Sequence, residues 1–175
     1  TDSPMVKALR ECGKPIIGAV NGPAVTGGFE LALACDFLYA AEGARFADTH
    51  ARVGLLPGWG LSQKLGRLIG INRAREASLT GNFIDAETAM TWGLVNKVCS
   101  PETLIENSLA AAQQIAESNP QTISAMRSLM NDGDLLSLGE ALELEGARGI
   151  AYLEQADFSQ MENRLQALKS RSKKS

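Results

Sequence analysis

One stretch, Lys14–Asp36 (KPIIGAVNGPAVTGGFELALACD), constrains this chain more than any other. Ile16–Val20 is a short apolar run rich in β-branched residues and reads as a buried strand. Asn21, Gly22 and Pro23 break it, and a second break at Thr26-Gly27-Gly28 opens an apolar run, Phe29–Cys35, that reads as a helix. The order is strand, glycine-bearing loop, helix. A helix start exposes unpaired N–H groups at the positive end of the dipole. Glycines there admit a ligand oxygen close to those groups. Glu30 sits in the first helical turn among apolar neighbours. Free amides beside one carboxylate suit a reaction that polarises a carbonyl and moves a proton nearby.

The segments around it alternate. Ser3–Cys12 predicts a short helix with Ser3 as cap and Pro4 at the first position. Phe37–Ala41 reads as the next strand, so strand, crossover helix and strand form a parallel βαβ unit. Arg45–Ala47 reads as a short extra strand, and 48–60 as a glycine- and proline-rich loop with a helical turn near Thr49–Arg52. Helices are expected over Leu61–Ile69 and Arg73–Leu79, then from an Asp85 cap to Trp92, followed by a strand at Leu94–Val98. From Pro101 the reading is all helical: 101–117, 120–131, 138–154 and 158–169, with Ser100 and Asn119 as caps before proline. Two regions follow, residues 1–99 of mixed α/β character and residues 100–175 of helix.

With 175 residues, 45% of them apolar, the chain can bury a sizeable core. A net charge of −3 implies no general attraction to nucleic acid or membrane surfaces, and no apolar run approaches bilayer length. Cys12, Cys35 and Cys99 lack metal or redox spacing and fit a reduced, intracellular compartment. One histidine cannot build a histidine-rich metal site. A Walker loop, dinucleotide glycine spacing and a G-x-S-x-G elbow are all missing from the sequence.

The blocks KPIIGAVNG, GGFELALACD, GLLPGWGLSQKL and LTGNFIDAETAMTWGLVNKV, in this order, resemble the enoyl-CoA hydratase/isomerase (crotonase) superfamily. The resemblance runs from about Lys14 to Val98 and more loosely beyond. It implies an α/β fold with the crotonase-like ββα spiral core and an all-helical C-terminal region that packs trimers, often paired into hexamers. It also implies that the N-terminal part of the core is absent here: the family's earlier strands, and the loop supplying one oxyanion-hole amide, have no counterpart in this chain.

The resemblance assigns roles residue by residue. Gly27 falls where the family offers a backbone N–H to the thioester oxygen; removing one such donor costs roughly 2.7–4 kcal/mol of barrier in comparable sites. On local grounds alone, Gly27 equally serves a tight strand-to-helix passage. Gly28 belongs to the same substrate-binding turn. Glu30 matches the first catalytic glutamate, holding water or passing a proton; its local alternative is a charge favouring a helix N-terminus. The family's hydratases carry a second glutamate where this chain has His50. An imidazole there can replace the carboxylate near neutral pH, or His50 is a hydrogen-bonded loop residue. Asp48 and Arg52 are placed to orient His50 or to pair with each other. Gly58 falls where the family presents an amide to the reactive water, and Trp59 either narrows the acyl pocket or packs under the following helix.

The implied activity is hydration of a 2-enoyl-CoA thioester, a lyase reaction of fatty-acid metabolism and β-oxidation. Alternatives are another crotonase reaction, such as enoyl-CoA isomerisation or acyl-CoA thioester hydrolysis, or acyl-CoA binding without turnover. Coenzyme A enters as part of the substrate, so no cofactor or metal is implied, and no nucleic-acid or membrane partner. Cytoplasm, mitochondrion and peroxisome are all compatible. The basic tail Lys169–Ser175 reads as a loose match to family residues that approach the nucleotide of a neighbouring subunit.

Overall fold

The computed structural model describes residues 3–156, 158–159 and 161–171. They fall into two compact units that divide after Arg127.

In the first unit, α1 (Pro4–Glu11) precedes β1 (Ile17–Val20), β2 (Pro23–Val25), α2 (Gly27–Ala32), β3 (Phe37–Ala41) and β4 (Arg45–Ala47). A 3₁₀ turn at Ala51–Val53 leads to α3 (Leu61–Ile69), α4 (Ile71–Thr80), β5 (Ile84–Asp85), α5 (Ala86–Thr91), β6 (Lys97–Cys99) and α6 (Leu104–Ala116). α7 (Pro120–Gly133) runs across the division.

Two small sheets carry the unit. In one, β3 lies between β1 and β6, both parallel to it, with Ile17 opposite Phe37 and Tyr39 opposite Lys97. This is the expected βαβ arrangement. In the other, β4 lies between β2, parallel, and β5, antiparallel. The core gathers residues from both sheets and from α2, α3, α4 and α5, with Phe29, Phe46, Leu61 and Leu65 essentially sealed from solvent. The rings of Phe29 and Phe46 meet at 5.4 Å between centroids, tying α2 to β4.

Several expectations shift. β2 replaces part of the expected loop, because Pro23–Val25 pairs with β4. The strand expected at Leu94–Val98 begins only at Lys97: the amides of Leu94 and Val95 turn back to the Ala89 carbonyl, closing α5. The helix expected from Pro101 begins at Leu104, since Thr103 and Leu104 both donate to the Ser100 carbonyl in a preceding turn. Ser3 stands at the N-cap of α1 but its hydroxyl makes no capping bond. Asp85 and Asn119 do cap: Asp85 accepts the Thr88 N–H at 2.7 Å, and Asn119 accepts those of Gln121 and Thr122. The Asp85 carboxyl is held below its ordinary range by the Thr88 bonds.

In the second unit, Ser137 and Glu140 form a capping box at the start of α8 (Leu138–Gln155), and Asp132 pairs with Arg148 at 2.7 Å. α9 (Met161–Arg171) follows. α8 has no buried residue, and Leu142, Ile150 and Leu153 are exposed. Among the described residues, no helix is long and apolar enough to cross a membrane. Residues 172–175 of the basic tail lie outside the described residues.

Candidate active site

The site begins at Thr26, the one described non-glycine residue with positive φ, at +53°. A β-branched residue resists that backbone. Three bonds hold it: Thr26 N–H to the Ala47 carbonyl, Thr26 C=O to the Glu30 N–H, and a 2.6 Å contact between the hydroxyls of Thr26 and Thr49. The start of α2 is thereby joined to the end of β4 and to the loop that carries His50. Glu30 N–H is the first in the helix to find its carbonyl, so those of Gly27, Gly28 and Phe29 precede the hydrogen-bonded ladder.

Glu30 is buried, at 3% exposure. Its Oε1 accepts the N–H of Trp59 at 2.7 Å and that of Leu61 at 3.3 Å. These amides converge because Gly60, between them, adopts φ +113°, a conformation that suits glycine. Leu61 is the first residue of α3, so the carboxylate also meets the positive end of that helix. An ion taken out of water here is compensated by two donors on one of its oxygens.

The other oxygen faces His50. Glu30 Oε2 lies 3.5 Å from His50 Nε2, and His50 is itself buried. The opposite ring nitrogen, Nδ1, is 2.7 Å from Asp48 Oδ1, which also accepts the backbone N–H of His50 at 3.2 Å. Asp48 is buried too. The result is a row of carboxylate, imidazole and carboxylate. Arg52 does not pair with Asp48; its guanidinium binds the Thr80 carbonyl and Asn82 Oδ1, docking this loop on the end of α4.

The other sequence candidates sit around this row. A Cβ on Gly27 would stand 3.2 Å from Trp59 Cζ3, so the half-buried indole lies against Gly27 while its own backbone N–H holds Glu30. Gly28 lines an open apolar cavity of about 650 Å³ with residues of α1, β1 and β2. Glu30 and His50 do not line that cavity. Gly58 is exposed, and the amides that reach Glu30 are those of its neighbours Trp59 and Leu61. Cys35 also lines the cavity; burial, then the charge of Asp36, pushes its thiol up, away from nucleophilic use. Among the described residues no group of three His, Cys, Asp or Glu is placed to hold a metal ion.

The Trp59 and Leu61 amides that hold Glu30 carry no motif of their own in the sequence. Their only signal is the turn-forming Gly60. The Asp48 contact had a better one, since an aspartate two residues before a backbone N–H is the spacing of an Asx turn.

Comparison with known proteins gives a consistent result. The profile described as enoyl-CoA hydratase/isomerase matches residues 1–169. A probable peroxisomal enoyl-CoA hydratase 1 of Arabidopsis thaliana is 48% identical over 84% of this chain and 56% of its own length. A mitochondrial enoyl-CoA hydratase of Pongo abelii is 44% identical over 78% of this chain and 47% of its own. The solved enoyl-CoA hydratase of Bacillus anthracis superposes with a TM-score of 0.85 at 33% identity, over 95% of this chain and 63% of that one. The chain thus spans about half the length of the curated relatives it matches. The α/β fold with a helical C-terminal region expected from the motifs is the fold these proteins share.

Proposed function

Since this chain belongs to the enoyl-CoA hydratase/isomerase family, we propose that the protein carrying it adds water across the double bond of a 2-enoyl-CoA thioester. One observation carries the reading: Glu30 is a buried carboxylate with one oxygen fixed by two amides and the other turned toward His50 Nε2. A carboxylate so held keeps its geometry while a proton comes and goes, which is what general base catalysis asks of it.

Water is placed against C3 of the acyl chain. As its oxygen bonds to C3, its proton passes to Glu30 Oε2, and the electron pair of the double bond moves onto the thioester oxygen. The Gly27 N–H stabilises that enolate charge. A proton then returns to C2, giving the 3-hydroxyacyl thioester. His50 Nε2, 3.5 Å from Oε2, is the group that shares the proton with Glu30. Gly28 and Gly58 border the substrate in this reading, and Trp59, set over Gly27, shapes the space beside the reacting carbons. Replacing Trp59 with Ala is then expected to raise kcat/KM for bulkier acyl chains about tenfold relative to short ones.

The reading needs no metal or redox cofactor. It includes assembly into trimers or hexamers, supported by the exposed apolar residues of α8. The two curated relatives named above are peroxisomal and mitochondrial by name, and either compartment suits this substrate. The test is incubation with crotonyl-CoA, following loss of the conjugated enoyl absorbance and gain of one water in the product mass. A product of unchanged mass would assign isomerisation instead, and a free acid would assign thioester hydrolysis.

A further inference from the structure

Asp48 is buried at 2% exposure and has no part in the reaction written above. Its Oδ1 makes two bonds to the same residue: one to the His50 backbone N–H at 3.2 Å, one to the ring Nδ1 at 2.7 Å. The backbone bond fixes the carboxylate relative to the His50 main chain. The ring bond is then short and charge-assisted. An ionised carboxylate only accepts, so Nδ1 must carry a hydrogen to make this contact favourable.

We infer that Asp48 is a positioning residue that locks His50 with its hydrogen on Nδ1, so that the proton His50 gains or loses is confined to Nε2, the nitrogen facing Glu30. With the opposite tautomer, the Nδ1 lone pair would stand against the carboxylate at 2.7 Å, and Nε2 would hold its hydrogen permanently. Of the cations on nearby elements, Arg52 binds Thr80 and Asn82, Arg45 of β4 stands over the Phe83 ring, and Lys64 of α3 donates to the Leu33 carbonyl. Glu30 and Asp48 are the charges that face the ring. The destination of the Nε2 proton rests on the hydratase reading; the tautomer does not.

The inference is tested on the protein labelled with ¹⁵N-histidine, His50 being assigned by its loss in His50→Gln. Two-bond proton–nitrogen spectra of the wild type should show Nδ1 protonated and Nε2 as the bare, pyridine-type nitrogen when the ring is neutral. A ring protonated at Nε2, or one averaging between tautomers, overturns the assignment whether or not the Asp48 variants fold. In turnover, Asp48→Ala should lower kcat about tenfold or more with KM little changed, and Asp48→Asn, which keeps an acceptor oxygen, should recover most of it. An Asp48→Ala enzyme with wild-type kcat also overturns the inference. A wild type that shows the expected tautomer but hydrates no enoyl thioester would sustain the role of Asp48 in orienting His50 and refute the hydratase reading alone.

Discussion

Trp59 lies across Gly27 so closely that a Cβ on Gly27 would come within 3.2 Å of the indole Cζ3. The same tryptophan donates its backbone N–H to Glu30 at 2.7 Å. The residue proposed to polarise the thioester and the residue proposed to handle the proton are therefore linked through one side chain and one amide. Gly27→Ala should press the ring outward and disturb the Glu30 contact, lowering kcat/KM about tenfold. Trp59→Ala in the same protein should restore part of it. A double-mutant cycle reads this as a coupling of about 0.5–3 kcal/mol, and strictly additive effects would contradict the link.

The position of His50 invites the substitution His50→Glu, which would supply the second glutamate that the family resemblance implies at this position. The structure predicts that it fails. Asp48 and Glu30 are both buried beside the ring, and a third carboxylate between them has no cation to offset it. Unfolding by denaturant should show a loss of about 3 kcal/mol, and Asp48→Asn added to His50→Glu should return more than half. A His50→Glu protein as stable as the wild type would mean that the row of Asp48, His50 and Glu30 is not the electrostatic unit described.

Gly60 makes a separate prediction. At φ +113° it brings the amides on either side of it onto one oxygen of Glu30. Gly60→Ala should cost roughly 1–3 kcal/mol of stability through backbone strain and should lower kcat by loosening the carboxylate. Thermal unfolding and steady-state kinetics check both, and an unchanged midpoint would show that the turn tolerates a side chain.

Much of this was legible in the chain, for physical reasons that differ by element. β1, α2 and β3 announce themselves locally, through a β-branched run, a glycine break and a second apolar run. β2 does not: three residues beginning with a proline carry no strand pattern, and their pairing with β4 is a non-local, parallel contact. The strand after α5 starts later than its apolar run suggests, because Leu94 and Val95 spend their amides on Ala89. Glu30 and His50 stand out individually, by a charge in apolar company and by a departure from a family pattern. Their 3.5 Å approach follows from the Thr26–Thr49 junction, which periodicity does not encode. The amides on Glu30 come from 29 and 31 residues away, and a single glycine torsion decides whether they arrive.

Glu30→Gln tests the account at its centre. A glutamine can still offer Oε1 to the Trp59 and Leu61 amides, so the fold should hold and the unfolding midpoint should barely move. What is lost is the oxygen that takes a proton. Hydration of crotonyl-CoA should fall about 10²- to 10⁴-fold in kcat, with acyl-CoA binding retained. Full turnover by Glu30→Gln would contradict the account.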